Sequence, residues 1–214
     1  MVFLRGGAAV QRTVLLLLLL GAVGCVAGTT AVYTPANASF QFPGQGPVAV
    51  GVKDSRPEVV SGRRKDTFVG LRRSLYGIPF AVQTQSGKPF AQDLADMIVD
   101  GLRSKGVQAQ GVTLSPSEPR DEAVTALQAS GAPRLLLFEL AEWYGDTYFE
   151  TTLHYDLTLT VLDAQGRELG RGAAIGEDDI GGGQRAERRT LQDATVDILQ
   201  ELLSDRDVAA ALSR

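Results

Sequence analysis

Between positions 149 and 161 the side chains alternate strictly enough to dictate a strand. Phe149, Leu153, Tyr155, Leu157, Leu159 and Val161 fall on one parity, and Glu150, Thr152, His154, Asp156, Thr158 and Thr160 on the other. Successive side chains of a strand point to opposite faces, so this period of two predicts a long strand with one dry and one wet face. Such a strand needs antiparallel neighbours and a layer to cover its dry side.

The flanking pattern supplies both. Residues 135–140 read as a buried strand, with Gly145 and Asp146 turning the chain into the alternating one. Asp163, Ala164, Gln165 and Gly166 make a hairpin turn into a strand over 167–175. A Gly-rich loop, 176–183, then leads to a helix on which Leu191, Ala194, Ile198 and Leu202 recur at helical spacing.

Upstream, 48–52 is a short Val-rich strand ended by Asp54, Ser55, Arg56 and Pro57. Residues 58–75 are basic and turn-like, and 76–82 carry one or two short strands that Pro79 confines to an edge. Phe90, Leu94, Met97, Ile98 and Leu102 form one face of a helix, begun near Pro89 and closed by Gly106. A strand near 107–112 and a shorter helix with Ala123, Val124 and Leu127 inward complete the order. Strand, helix, helix, three-strand meander and helix predict an α+β fold: a largely antiparallel sheet with helices packed on one face. In Asp54–Pro57 the expected role is structural, Asp54 accepting backbone N–H bonds at the strand's exit while Pro57 sets the turn.

The N-terminus carries an address. Arg5 and Arg12 precede an unbroken apolar run over 14–20, followed by the small residues Gly21, Ala22 and Gly24 around Val23, and then Cys25. The apolar segment is shorter than the ~20 residues a spanning helix needs, and reads as a secretory signal peptide. Ala22, Val23, Gly24 and Cys25 resemble the lipobox of bacterial lipoproteins, whose cysteine becomes the acylated first residue of the mature chain. Cys25 is the only cysteine in the 214 residues. Each buried lipid CH₂ contributes ~0.8 kcal/mol, so the several acyl chains that the resemblance implies make a stable anchor. Val26 in place of Asp resembles the pattern sorted to the outer membrane.

These readings divide the chain into a signal peptide at 1–24, an acylated cysteine and flexible tether at 25–46, and one α+β periplasmic domain at 47–214. Cleavage before Cys25 leaves 19 basic against 25 acidic residues, a net charge of −6. An acidic domain is repelled by an anionic leaflet, which leaves the lipid to do the anchoring. The same balance argues against a nucleic-acid partner. One Cys and one His exclude a disulfide framework, a Cys-rich zinc site and a His-rich metal site.

No catalytic constellation is evident. His154 sits on the wet parity of its strand, and no G-x-S-x-G or H-E-x-x-H pattern is present. The three carboxylates of the 176–183 loop, Glu177, Asp178 and Asp179, would repel a phosphate and lack the spacing of an EF-hand. No cofactor or metal is expected. Arg63, Arg64, Lys65, Arg72 and Arg73 stand out against an acidic domain as a candidate interaction patch for lipid head groups or an acidic partner, or as solvated charges guarding a sheet edge. Trp143, Tyr144, Tyr148 and Phe149 form an aromatic group that fits sheet-end packing or an interface.

The lipobox, the short strand ending in Asp54-Ser55-Arg56-Pro57, the helix closed by Gly106, the strand at 135–140, the Thr-rich strand at 151–162 and the final helix resemble, in order and spacing, the YajG-like family of bacterial lipoproteins. That resemblance implies a small α+β domain held on the periplasmic side of the outer membrane, with no assigned enzymatic activity. The expected function is a non-catalytic envelope interaction module with a protein partner. The alternative is a ligand-binding accessory of an envelope transport system, taking lipid or glycan in an apolar groove.

Overall fold

One long strand organises the sheet. In the computed structural model, which describes residues 30–31, 38–44, 46–182 and 186–213, the sixth strand pairs along its whole length on one edge and serves two different strands on the other. In chain order the elements are β1 (Thr30–Ala31), β2 (Val48–Asp54), α1 (Pro57–Val60), β3 (Phe68–Arg73), β4 (Pro79–Thr84), α2 (Phe90–Arg103), β5 (Ala109–Val112), α3 (Arg120–Gln128), β6 (Arg134–Thr147), β7 (Glu150–Asp163), β8 (Glu168–Gly182), α4 (Ala186–Ser204) and α5 (Arg206–Leu212). The first half of β6 lies parallel to β2, with Val48 opposite Arg134 and Asp54 opposite Leu140. Its last residues lie parallel to β3, with Gly70 opposite Gly145 and Arg72 opposite Thr147. Along the other edge β6, β7 and β8 form the antiparallel meander. β5 flanks β2 in parallel, β4 flanks β3 antiparallel, and β1 adds in parallel to β4.

The α+β class is the one expected and the alternation of β7 holds, but the sheet is mixed rather than largely antiparallel and helices cover both of its faces. Leu153, Leu157, Leu159 and Val161 are fully buried. Their face meets α2 through Phe90, Leu94, Met97, Ile98 and Leu102, and meets α4 and α5 through Leu199, Leu203 and Val208. α3 takes the opposite side, where Ala123 and Leu127 pack on Ala49, Leu135, Leu137 and Leu162. The reason is local: β2 and the first half of β6 are apolar on both parities, so both of their faces need cover.

The segment 58–75, read as turn-like, holds most of α1 and all of β3, and three boundaries also differ from expectation. Gly145 and Asp146 do not turn the chain; β6 runs on to Thr147 through a bulge between Leu140 and Glu142. Gly145 is instead the point where β3 comes closest, since a Cβ on the facing Gly70 would lie 2.4 Å from the Gly145 carbonyl oxygen. The segment read as a Gly-rich loop is strand as far as Gly182, because Gly176 leaves the space that the Tyr155 ring fills. The domain also begins before Pro47. Ala38 and Phe40 are buried in the core, and the Phe40 ring occupies the place a Cβ on Gly101 would take.

Turn chemistry at the β7–β8 hairpin is strong. The Asp163 carboxylate accepts N–H bonds from Gln165 and Arg167, both at 2.9 Å, and the Arg167 Nε at 2.7 Å, while Gly166 adopts φ +76°. The backbone N–H of Arg167 contributes most to holding this carboxyl below its ordinary pKa. A depressed folded-state pKa means the stabilisation is present above the ordinary carboxylate value and lost as pH falls through the lowered one. The acid limb of a pH–melting curve is therefore expected to be shallower in Asp163→Asn than in the parent protein, and parallel limbs would refute the assignment.

Candidate functional site

Asp54 and Arg56 form a closed unit. Arg56 Nε donates to Asp54 Oδ1 at 2.8 Å and Nη2 to Oδ2 at 2.6 Å, with both side chains withdrawn from solvent. The Arg56 backbone N–H also reaches Oδ1, at 3.2 Å, as expected for Asp54 at this exit. The remaining donor, Nη1, serves the carbonyls of Phe68 at 2.8 Å and Trp143 at 3.1 Å, and the guanidinium lies 5.4 Å from the Phe90 ring centroid. One side chain thereby ties β2 to β3, β6 and α2 (a use of arginine's rigid fork that lysine could not copy). No substrate reaches a pair so deeply covered, so its role is positioning.

His154 stacks on Tyr144 with ring centroids 4.5 Å apart, and its Nδ1 lies 3.3 Å from Glu177 on β8. Beside it runs a cleft of about 600 Å³ between β8 and α4, lined by Glu177, Asp178, Asp179, Asp193, Asp197 and Glu201. Two of the carboxylates are held in place: Tyr155 donates to Asp178 at 3.1 Å and Thr152 to Asp179 at 2.9 Å. Burial, and then the bond to Asp178, push the Tyr155 hydroxyl above its ordinary pKa. Among the described residues no three His, Cys, Asp or Glu side chains converge as a metal-binding set. A second cleft of about 310 Å³ is lined by Phe42, Lys105 and Val107 with neighbouring glycines.

The five basic residues fall into two groups, one ahead of β3 and one at its far end. Arg63, Arg64 and Lys65 are exposed ahead of β3, with the Arg64 guanidinium 4.8 Å from the centroid of the Phe68 ring. Arg72 and Arg73 lie at its far end, where Arg73 grips the Asp146 carboxylate through two hydrogen bonds. The aromatic group divides as well. Trp143 is fully buried against Phe90 and Tyr155, with centroids at 5.7 and 6.4 Å, whereas Tyr148 and Phe149 stand in the β6–β7 turn. Cys25 and the lipobox residues Ala22, Val23 and Gly24 lie outside the described residues.

A surface that the sequence reading caught only in part, through Tyr148 and Phe149, sits at the end of the sheet. The β3–β4 turn exposes Leu75 at 84%, Tyr76 at 91% and Ile78 at 56%, and beside it Phe149 is exposed at 70%. The two turns touch: the Tyr148 hydroxyl donates to the Leu75 carbonyl at 3.1 Å, and the Tyr148 and Phe149 rings lie 4.2 Å apart. Residues 74–87 carry no charged side chain, nor do 147–149. The signal was present in the sequence as an apolar turn, Leu75-Tyr76-Gly77-Ile78, centred on a glycine with φ +76°. Turns are ordinarily polar, and a contiguous exposed apolar patch marks an interaction surface.

No family model matches the chain, and neither does any curated protein. Solved structures do. Protein XCC0632 from Xanthomonas campestris, of the DUF330 family, is similar with a TM-score of 0.55 at 11% identity, over 85% of this chain and 95% of that one. The PelC dodecamer from Paraburkholderia phytofirmans matches with a TM-score of 0.43 at 12% identity, over 78% and 94%. Lipoprotein GNA1162 from Neisseria meningitidis matches with a TM-score of 0.32 at 12% identity, over 72% and 98%. The likeness to the Xanthomonas protein is one of fold.

Proposed function

We propose that this chain is a lipid-anchored lipoprotein of the bacterial envelope, related to the YajG-like group and held on the periplasmic side of the outer membrane as a non-catalytic interaction module. The observation that carries the reading is the position of the sole cysteine, Cys25, directly after an apolar run and the small-residue sequence Ala22-Val23-Gly24. No helix among the described residues is long and apolar enough to cross a membrane, so a helical anchor is not found there. The clefts bear on the choice between a partner-binding module and a lipid- or glycan-binding accessory. The larger one carries six carboxylates among its lining residues, which repel anionic lipid and anionic sugars, and this favours the module with a protein partner.

Radioactive palmitate supplied to cells making the chain tests the anchor. The parent protein is expected to carry label and to fractionate with the outer membrane, and Cys25→Ser to carry none. Equal labelling of both, or of neither with both proteins soluble, would overturn the reading.

A further inference from the structure

We infer that the apolar end made by the β3–β4 and β6–β7 turns is the surface on which the domain rests against the lipid bilayer. The inference builds on the lipoprotein reading and adds an orientation to it.

Three observations converge. The first is composition: Leu75, Tyr76, Ile78 and Phe149 are exposed, with Tyr148 bridging the two turns. Aliphatic side chains mixed with tyrosine suit the boundary between head groups and acyl chains, where an aromatic ring can bury its body and keep its hydroxyl wet.

The second is charge. The turn residues 74–78 and 147–149 are uncharged, and the charges flanking them are Arg72 and Arg73 at the end of β3, Asp146 on β6 and the exposed Glu150 next to Phe149. Arg73 and Asp146 neutralise each other there, and the carboxylates begin at Glu150 on β7 and Asp179 on β8. The turns can therefore enter the interface while the acidic groups stay in water. Contact is driven by apolar burial rather than attraction to anionic lipid, so it is strongest on zwitterionic membranes.

The third is the path of the chain. β1 lies parallel to β4, with Thr30 opposite Gln83, so the polypeptide reaches Thr30 from the side on which β4 begins. β4 begins at Pro79, directly after Ile78. Gln83 to Pro79 is about 13 Å of strand. The five residues from Cys25 to Thr30 span at most ~18 Å whatever their conformation. An acyl anchor on Cys25 thus lies within ~18 Å of Thr30, a reach that includes the end of the sheet where the apolar turns stand.

The test uses the full-length chain, reconstituted into vesicles of phosphatidylcholine and phosphatidylethanolamine whose acyl chains carry bromine, a short-range quencher of indole emission. Tyr76→Trp reports from the turn. Ile175→Trp, at an exposed position opposite Asp156 on β8 and far from the turns, is the control. The buried Trp143 is common to both. Bromine is expected to quench the new indole of Tyr76→Trp at least about twofold more than that of Ile175→Trp, and adding Ile78→Asp is expected to abolish the difference. Equal quenching at the two positions, in protein that carries palmitate, overturns the docking and leaves the lipoprotein reading intact. Preferential quenching at position 76 without palmitate supports the docking and removes the anchor. A blue-shifted Tyr76→Trp emission in vesicle-free protein that reverts on dilution shows a second copy covering the patch, and overturns the bilayer as its occupant.

Discussion

Asp54→Ala is expected to lower the melting temperature by about 10 °C, through a loss of about 3–5 kcal/mol. The guanidinium of Arg56 is wholly enclosed, and Asp54 satisfies two of its nitrogens. Removing the carboxylate leaves a buried cation without a counter-charge, and such a group cannot reach water without opening the junction of β2, β3 and β6. The loss is a large part of the ~5–15 kcal/mol by which domains are usually stable. The double variant Asp54→Ala/Arg56→Leu is expected to recover part of it, because the unpaired charge is gone. Recovery stays incomplete, since the carbonyls of Phe68 and Trp143 lose the donor they share. Thermal melts of the four proteins of this cycle decide the matter. A single variant within ~2 °C of the parent would mean that the pair has no such role.

Trp143→Ala is expected to cost a similar ~3–5 kcal/mol, for a different reason. The indole fills the space between α2 and β7, tilted against both Phe90 and Tyr155. Truncating it leaves a cavity whose walls belong to rigid sheet and helix, so collapse is limited. Trp143→Phe keeps the apolar volume largely filled and is expected to lose less than half as much. Denaturant titration followed by far-ultraviolet circular dichroism measures both, and equal losses for Phe and Ala would refute the packing argument. Because the Trp143 indole and the Arg56 guanidinium both lie against the Phe90 ring, Trp143→Ala and Asp54→Ala are expected to be non-additive.

Where the structure departs from the sequence-based expectation, the cause lies in contacts distant along the chain. Gly145-Asp146 has the composition of a turn, and what the long-range contact demands is the glycine facing it, since a Cβ on Gly70 of β3 would strike the Gly145 carbonyl oxygen. The glycines after Ile175 resemble a loop until the Tyr155 ring is seen over Gly176. Phe40 sits in a segment whose small and polar residues read as tether, yet its ring packs against Gly101 of α2. In each case a glycine makes room for something from elsewhere, and nothing local distinguishes that use from flexibility.

By itself the sequence determined what depends on near neighbours: the period of β7, the apolar stripe of α2 and the hairpin at Asp163. Those features are written at spacings of two to four residues, the scale on which strands, helices and turns repeat. The tertiary structure alone decided that β6 carries two different strands on one edge and that Arg56 is sealed beneath Phe68 and Trp143. It also decided that the apolar turns at Leu75 and Tyr148 meet as one surface. Those outcomes depend on which segments lie side by side, and side-chain periodicity records that a face is buried without recording what buries it.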